Sequence, residues 1–328
     1  MGYSAEVMQR ARARLAEAKA DRESENQQHL AQAYRQVPRL REIDQQLRVT
    51  MALAAQAVFS QGGDVQSAMD AARQKNLALQ REREELVREN FEDGYLDDSP
   101  ICEKCGGSGY IGSNMCECLR ELCRQEQKKE VSILSGSRDS FGSFRLDYYS
   151  DRVDPNYGVS PRTLAEKNFR ECKHYAVFFS DKSDNLLLSG NPGLGKTFLS
   201  ACIARTVADR GYSVAYETAG HLFTKMERAK FMNDEQARQE TESFTRCDLL
   251  ILDDLGTEMP GQFTNVALYG IINDRLLLGK PTIISTNLTT DDIAKRYTPQ
   301  IASRLRGSFK RVPFIGEDIR LMKNGGLV

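Results

Sequence analysis

The sequence has almost no net charge: 45 Lys and Arg stand against 46 Asp and Glu. No global field steers such a chain to nucleic acid or to a membrane, so any affinity of that kind has to be local. No apolar run approaches the roughly 20 residues that a membrane helix needs. Met1 to Asp21 is charged and alanine-rich, without the apolar core of a secretory signal. Eight cysteines are present, four of them at short spacing, but no disulfide framework extends along the chain. That pattern predicts a reducing, cytoplasmic setting and a metal site rather than disulfides. The 328 residues suffice for about two domains with a sizeable core.

Chemistry enters at Asn185-Leu186-Leu187-Leu188-Ser189, which reads as a short buried strand. It runs into Gly190-Asn191-Pro192-Gly193-Leu194-Gly195-Lys196-Thr197. Those eight residues match G-x-x-x-x-G-K-[ST], and Phe198 to Arg210 has helical spacing. Strand, glycine turn and helix together are what a polyphosphate needs. The glycines let backbone N–H groups curl round the β-phosphate, while the helix N-terminus adds positive partial charge. Lys196 then reaches the β- and γ-phosphates, and the Thr197 hydroxyl ligates Mg²⁺. The chain is expected to bind a nucleoside triphosphate.

Asp248 to Gly256 carries the second motif. Leu249-Leu250-Ile251-Leu252 predicts a buried parallel strand that delivers Asp253 and Asp254 at its C-terminal end. Asp253 is expected to hold Mg²⁺ through water and Asp254 to polarise the attacking water. Pro281 to Asn287 reads as a β-branched strand ending in an amide that reaches between the two motifs and senses the γ-phosphate. Beyond it, Arg304 lies on a short helix and Arg320 near the end. Arginines there stabilise a transferring phosphoryl group, often of a neighbouring subunit, or else form a solvated or nucleic-acid-facing basic tail.

Before the P-loop, Ser4 to about Tyr34, Pro38 to about Ala54 and a stretch from Asp64 to Asn90 have helical composition, with a break at 61–64. This reads as a helical hairpin or bundle, and the thin apolar stripe of the first helix suggests contact with another protein. Cys102-Glu-Lys-Cys105 with Gly106, Gly107 and Gly109, followed by Cys116-Glu-Cys118, supplies four thiols for a structural zinc knuckle. Cys123 is a less suitable ligand. Lys128 to about Pro161 is a polar and aromatic connector with Phe141, Phe144, Tyr148 and Tyr149. Lys225 to Phe231 is basic and aromatic, which suits either a nucleic-acid backbone or an ordinary amphipathic helix.

P-loop, "LLILDD", "STN" and "IASRLRG…GEDIR", in this order and spacing, resemble the AAA+ ATPases of the DnaC/DnaI/IstB group. The resemblance covers roughly 141–328. It implies an α/β fold: a P-loop AAA+ core, a parallel sheet with helices on both faces and a short or absent lid. It assigns sensor 1 to Asn287, the arginine finger to Arg304 and sensor 2 to Arg320. The helical N-terminus and cysteine knuckle are similar to helicase-loader members, whose N-terminal module contacts the replicative helicase. The expected organisation is a partner-binding module at 1–98, the knuckle at 99–127, a linker at 128–161 and the ATPase domain at 162–328. The expected function is ATP-dependent loading of a DnaB-type helicase onto single-stranded DNA, with self-association on ATP and no membrane contact. An IstB-like transposition helper and a nucleotide-gated adaptor with negligible hydrolysis are the alternatives.

Overall fold

The computed structural model describes residues 3–59, 65–134, 140–232 and 234–320; the break expected at 61–64 lies outside them. The chain divides into two compact units, one of Met1–Ala13 with Glu117–Val328 and one of Arg14–Cys116.

The Arg14–Cys116 unit holds most of α1 (Ala5–Gln36), with α2 (Pro38–Phe59) and α3 (Val65–Asn90). Pro38 opens α2 at the position where a missing N–H costs nothing. Leu15, Ala33, Leu40, Ile43 and Leu79 are buried, so the three- and four-residue spacing of α2 forms a core. Arg39 reaches Glu82 through a two-nitrogen fork (2.7 and 3.2 Å), Arg83 reaches Asp44 (2.8 Å), and Tyr34 donates to Asp44 (2.7 Å). These bonds tie α2 to α3 and α1 to α2. After α3, Tyr95 stacks between Phe91 and His29 at 5.1 and 4.3 Å. A two-residue-stranded hairpin follows, β1 (Tyr110–Ile111) antiparallel to β2 (Asn114–Met115).

The other unit is built on a five-stranded sheet in the order β4-β5-β6-β3-β7, with every pair parallel. The strands are β3 (Asn185–Ser189), β4 (Val214–Thr218), β5 (Leu249–Leu255), β6 (Thr282–Thr286) and β7 (Phe309–Pro313). A strand buried on both faces reads as a continuous apolar run, and here alternate residues feed two cores. Leu187, Leu250, Leu252 and Ile284 pack with α7 (Ala219–Phe231), α8 (Glu235–Arg246), α9 (Gln262–Leu277), α10 (Thr290–Arg296) and α11 (Pro299–Ser308). Leu186, Leu188, Leu249, Ile251 and Ile283 pack with α5 (Pro161–Val177) and α6 (Lys196–Asp209) on the opposite face.

β7 has no counterpart among the strands read from sequence. Only Phe309 and Val312 of it are buried, while Lys310 and Arg311 face outward; it is an edge strand paired only with β3. α4 (Glu117–Leu134) continues through Lys128, into the stretch expected as connector, because nothing before Gly136 breaks a helix-favouring run. The connector's rings pack on this unit. Phe144 stacks on Phe169 at 4.9 Å and lies 5.8 Å from Phe198, and the Tyr149 hydroxyl donates to the Leu194 carbonyl (3.0 Å). Among the described residues no helix is long and apolar enough to cross a membrane.

Candidate functional site

The end of β3 and the start of α6 are held apart by a glycine turn that no other residue type fits. Gly193 has φ 75°, and a Cβ there would sit 1.9 Å from an Asp318 carboxylate oxygen; at Gly190 (φ 152°) it would sit 2.2 Å from the Phe314 carbonyl oxygen. The loop is therefore pinned from outside by the segment after β7, and Ile319 N–H also donates to the Gly193 carbonyl (3.0 Å). The turn leaves the first N–H groups of α6 facing a cleft of about 360 Å³, the arrangement that binds an anion.

Lys196 is 5% exposed, and its ammonium donates to the carbonyls of Gly190 (2.7 Å) and Asn191 (2.8 Å). Burial lowers its pKa, an effect that Asp254 and Asp253 oppose and Arg320 reinforces. The cleft is lined by Thr197, Asp254, Thr257, Asn287 and Arg320 as well as Lys196. Five of the residues singled out in the sequence thus meet in one place. Arg320 is engaged there by Asp318 through bonds of 3.0 and 2.9 Å, and this pair holds the Asp318 carboxyl below the usual range. Arg304 is absent from the lining.

The two adjacent carboxylates are set differently. Asp253 is 2% exposed; it accepts from the Tyr216 hydroxyl (2.8 Å) and, over a short contact, from the Ser285 hydroxyl. Tyr216 comes from β4 and Ser285 from β6, the strands on either side. Asp254 lies in a register shift between Leu252 and Leu255, with φ 54°, the one positive φ outside glycine among the described residues. A bulge of this kind re-aims a side chain, and here the exposed Asp254 carboxylate lines the P-loop cleft. Its N–H donates to Ser285 Oγ (2.9 Å). Desolvation and then the charge of Asp253 raise its pKa, against Lys196 and Arg320.

Tyr216, Ser285 and Glu258 were not picked out from the sequence. Glu258 accepts from the Gly256 N–H (2.9 Å) and from the Tyr297 hydroxyl, and Arg296 donates to its carbonyl. It clamps the turn that follows Asp254 to the end of α10. For Ser285 a signal existed, a hydroxyl that directly follows the apolar Ile283-Ile284 pair and stands two residues before Asn287. For Tyr216 and Glu258 none did.

Hard oxygen donors suit Mg²⁺, and Thr197, Asp253 and Asp254 supply them. Each Asp253 oxygen already accepts one bond and keeps a second lone pair, which fits a cation approached through water. The four thiols of Cys102, Cys105, Cys116 and Cys118 lie within 4.8 Å of one another. Cys102 and Cys116 Sγ are 3.8 Å apart, about the edge of a tetrahedron with 2.3 Å Zn–S bonds. Gly109 N–H donates to Cys105 Sγ (3.3 Å), an outer contact of the kind that steadies a ligand. Cys123 is buried with its thiol on Met8 Sδ (3.5 Å), away from this set.

Residues 161–303 match the model of the IstB-like ATP binding protein family. The replicative helicase loader DnaC of Escherichia coli strain K12 is 24% identical over 136 residues, 42% of this chain and 56% of that protein. The replicative helicase loader DnaI of Bacillus subtilis is 25% identical over 190 residues, 56% of this chain and 56% of that protein. The chain thus spans a little over half the length of the curated relatives it matches. A crystal structure of the DnaC helicase loader aligns with 53% of this chain and 98% of that one at 18% identity, with a TM-score of 0.45.

Proposed function

Starting from an IstB-like ATP-binding domain at residues 161–303, we propose that the chain is an ATP-hydrolysing loader of a DnaB-type replicative helicase onto single-stranded DNA. The carrying observation is the pairing of a cleft lined by the P-loop, Asp254, Asn287 and Arg320 with a separate helical and cysteine-rich unit that has no nucleotide motif. In this reading residues 1–98 hold the helicase, 99–127 the knuckle and 128–161 the connection.

In hydrolysis, Lys196 leaves the loop carbonyls for the β- and γ-phosphates, and Asn287 reports on the γ-phosphate. Asp254, aimed by its bulge, orients the attacking water. Mg²⁺ held by Thr197 and, through water, Asp253 supplies charge neutralisation. Asp254→Asn is expected to keep ATP affinity and lose turnover. It should also raise the melting temperature: the charged form is disfavoured at this site, and asparagine accepts a positive φ more readily than most residues. Native turnover by Asp254→Asn would move the water-positioning role elsewhere.

Zinc enters as a structural ion. Reductively purified protein is expected to hold about one zinc per chain, and chelation should loosen the knuckle while ATP binding persists. Elemental analysis without zinc would contradict this.

The DNA surface we assign is around Lys230. Lys225, earlier in the same basic run, is occupied by Glu217 (2.5 Å) and Glu240 (3.2 Å). The Lys230 ammonium lies over the rings of Phe231 and Phe263 at 5.4 and 5.6 Å, and Phe231 is 65% exposed. An exposed ring beside a cation stacks a base and holds a phosphate. Single-stranded DNA should bind more tightly with ATP, lose affinity steeply with salt, and bind roughly tenfold more weakly to Phe231→Ala, as expected for one lost stacking partner. DNA binding that ignores both salt and Phe231 would remove this surface from the account.

A further inference from the structure

We propose that Tyr269 is a positioning residue that sets the pose of Arg304 for the nucleotide cleft of a second copy of the chain. The proposal rests on the reading of Arg304 as a group that completes a neighbour's site, and it adds what holds that group. Arg304 sits on α11 and Tyr269 on α9. The guanidinium donates to the Tyr269 hydroxyl (2.8 Å) and stands 4.8 Å from the centre of its ring. The two contacts, one at a guanidinium nitrogen and one at its central carbon, restrict a long, rotatable side chain.

The choice of partner is informative. Three other arginines of this region, though not Arg311 on β7, are matched with carboxylates: Arg296 with Glu258 (3.8 Å), Arg306 with Asp291 (3.1 Å) and Arg320 with Asp318 (2.9 Å). Arg304 makes no ion pair among the described residues, and its partner is a neutral phenol. A π face and a hydroxyl oxygen orient a guanidinium without cancelling its charge. Such a group keeps its full charge for a phosphoryl oxygen. It does not line the cleft of its own chain, so the phosphoryl it serves belongs to another copy.

Tyr269 is 37% exposed, and Tyr269→Phe keeps its packing, so the two substitutions separate packing from the hydroxyl. Tyr269→Leu should lower kcat for ATP roughly tenfold, with KM within about twofold of the native value; Tyr269→Phe, which keeps the ring face, should fall in between. Mixing experiments place the effect. Arg304→Ala supplies an intact cleft and Lys196→Ala an intact finger, and together they should recover turnover that neither has alone. Adding Tyr269→Leu to the Lys196→Ala chain should cut that recovery by the same factor of about ten. Adding it to the Arg304→Ala chain should leave recovery unchanged. Equal losses in both arrangements, or a rise in kcat for Tyr269→Leu, would overturn the positioning role while leaving Arg304 in place. No recovery by the unmodified pair in demonstrably mixed oligomers would remove the trans role of Arg304, and this proposal with it.

Discussion

Lys196→Ala is expected to weaken ATP binding by roughly two powers of ten or more. The side chain is buried, and its charge, held between two loop carbonyls, is the one ammonium lining the cleft among the described residues. A hydrogen bond to a charged group contributes about 1.5–3 kcal/mol, and the lysine is expected to make one to each of two phosphates. Alanine removes both and leaves the Gly190 and Asn191 carbonyls without their donor. Because burial lowers the lysine pKa in the empty cleft, affinity should also fall with rising pH, starting below the range where an ordinary lysine loses its proton. Titration of a fluorescent ATP analogue against both proteins measures the loss; a change under threefold would mean that the loop backbone alone binds the nucleotide.

The largest stability effect is expected away from the cleft, at Arg275. It is 1% exposed, and its guanidinium donates to the carbonyls of Phe244 (2.7 Å), Thr245 (3.1 Å), Cys247 (3.1 Å) and Pro281 (2.6 Å) and to Thr282 Oγ1 (2.9 Å). This one side chain collects the end of α8 and the starts of β5 and β6. Leucine there would leave a group of buried carbonyls unpaired, at about 1–3 kcal/mol each. Arg275→Leu should lose at least roughly 4 kcal/mol, a large part of the 5–15 kcal/mol that holds a typical domain folded. Arg275→Lys, a cation with fewer donors, should recover only part of it. Denaturant midpoints at unchanged slope would measure both, and a shift under 1 kcal/mol for leucine would show that water replaces the guanidinium.

What could be read in advance follows from the range of the interactions. β3 and β5 announce themselves because a strand buried on both faces carries an apolar run, β6 through its β-branched Thr282, Ile283 and Ile284, and the glycine turn announces itself because its φ values and close approaches exclude other residues. A helix start can be missed for lack of an apolar marker: apolar spacing starts a helix at Leu164, but Ser160 accepts from Thr163 N–H (3.2 Å) and α5 begins three residues earlier, at Pro161. β7 was missed because its two buried residues, Phe309 and Val312, feed opposite cores and are separated by the exposed Lys310 and Arg311, so it shows neither an apolar run nor an alternation. The residues that aim Asp253 and Asp254 were invisible for a different reason. Tyr216 acts across neighbouring strands and Glu258 on the residue that ends α10, 37 and 39 residues away in the contacts they make, and nothing in their own neighbourhood marks them. The same holds for Tyr269 beneath Arg304. Chemistry that lies within one turn of chain is legible; the contacts that orient it depend on strand order.

The most direct test of the loader reading is capture of partners by the full-length chain. Tagged protein, held with ATP in a lysate of its own source, should retain the cognate hexameric replicative helicase, and purified helicase should bind in a defined ratio. Retention of a transposase with the helicase left unbound would contradict the loader and favour the transposition helper.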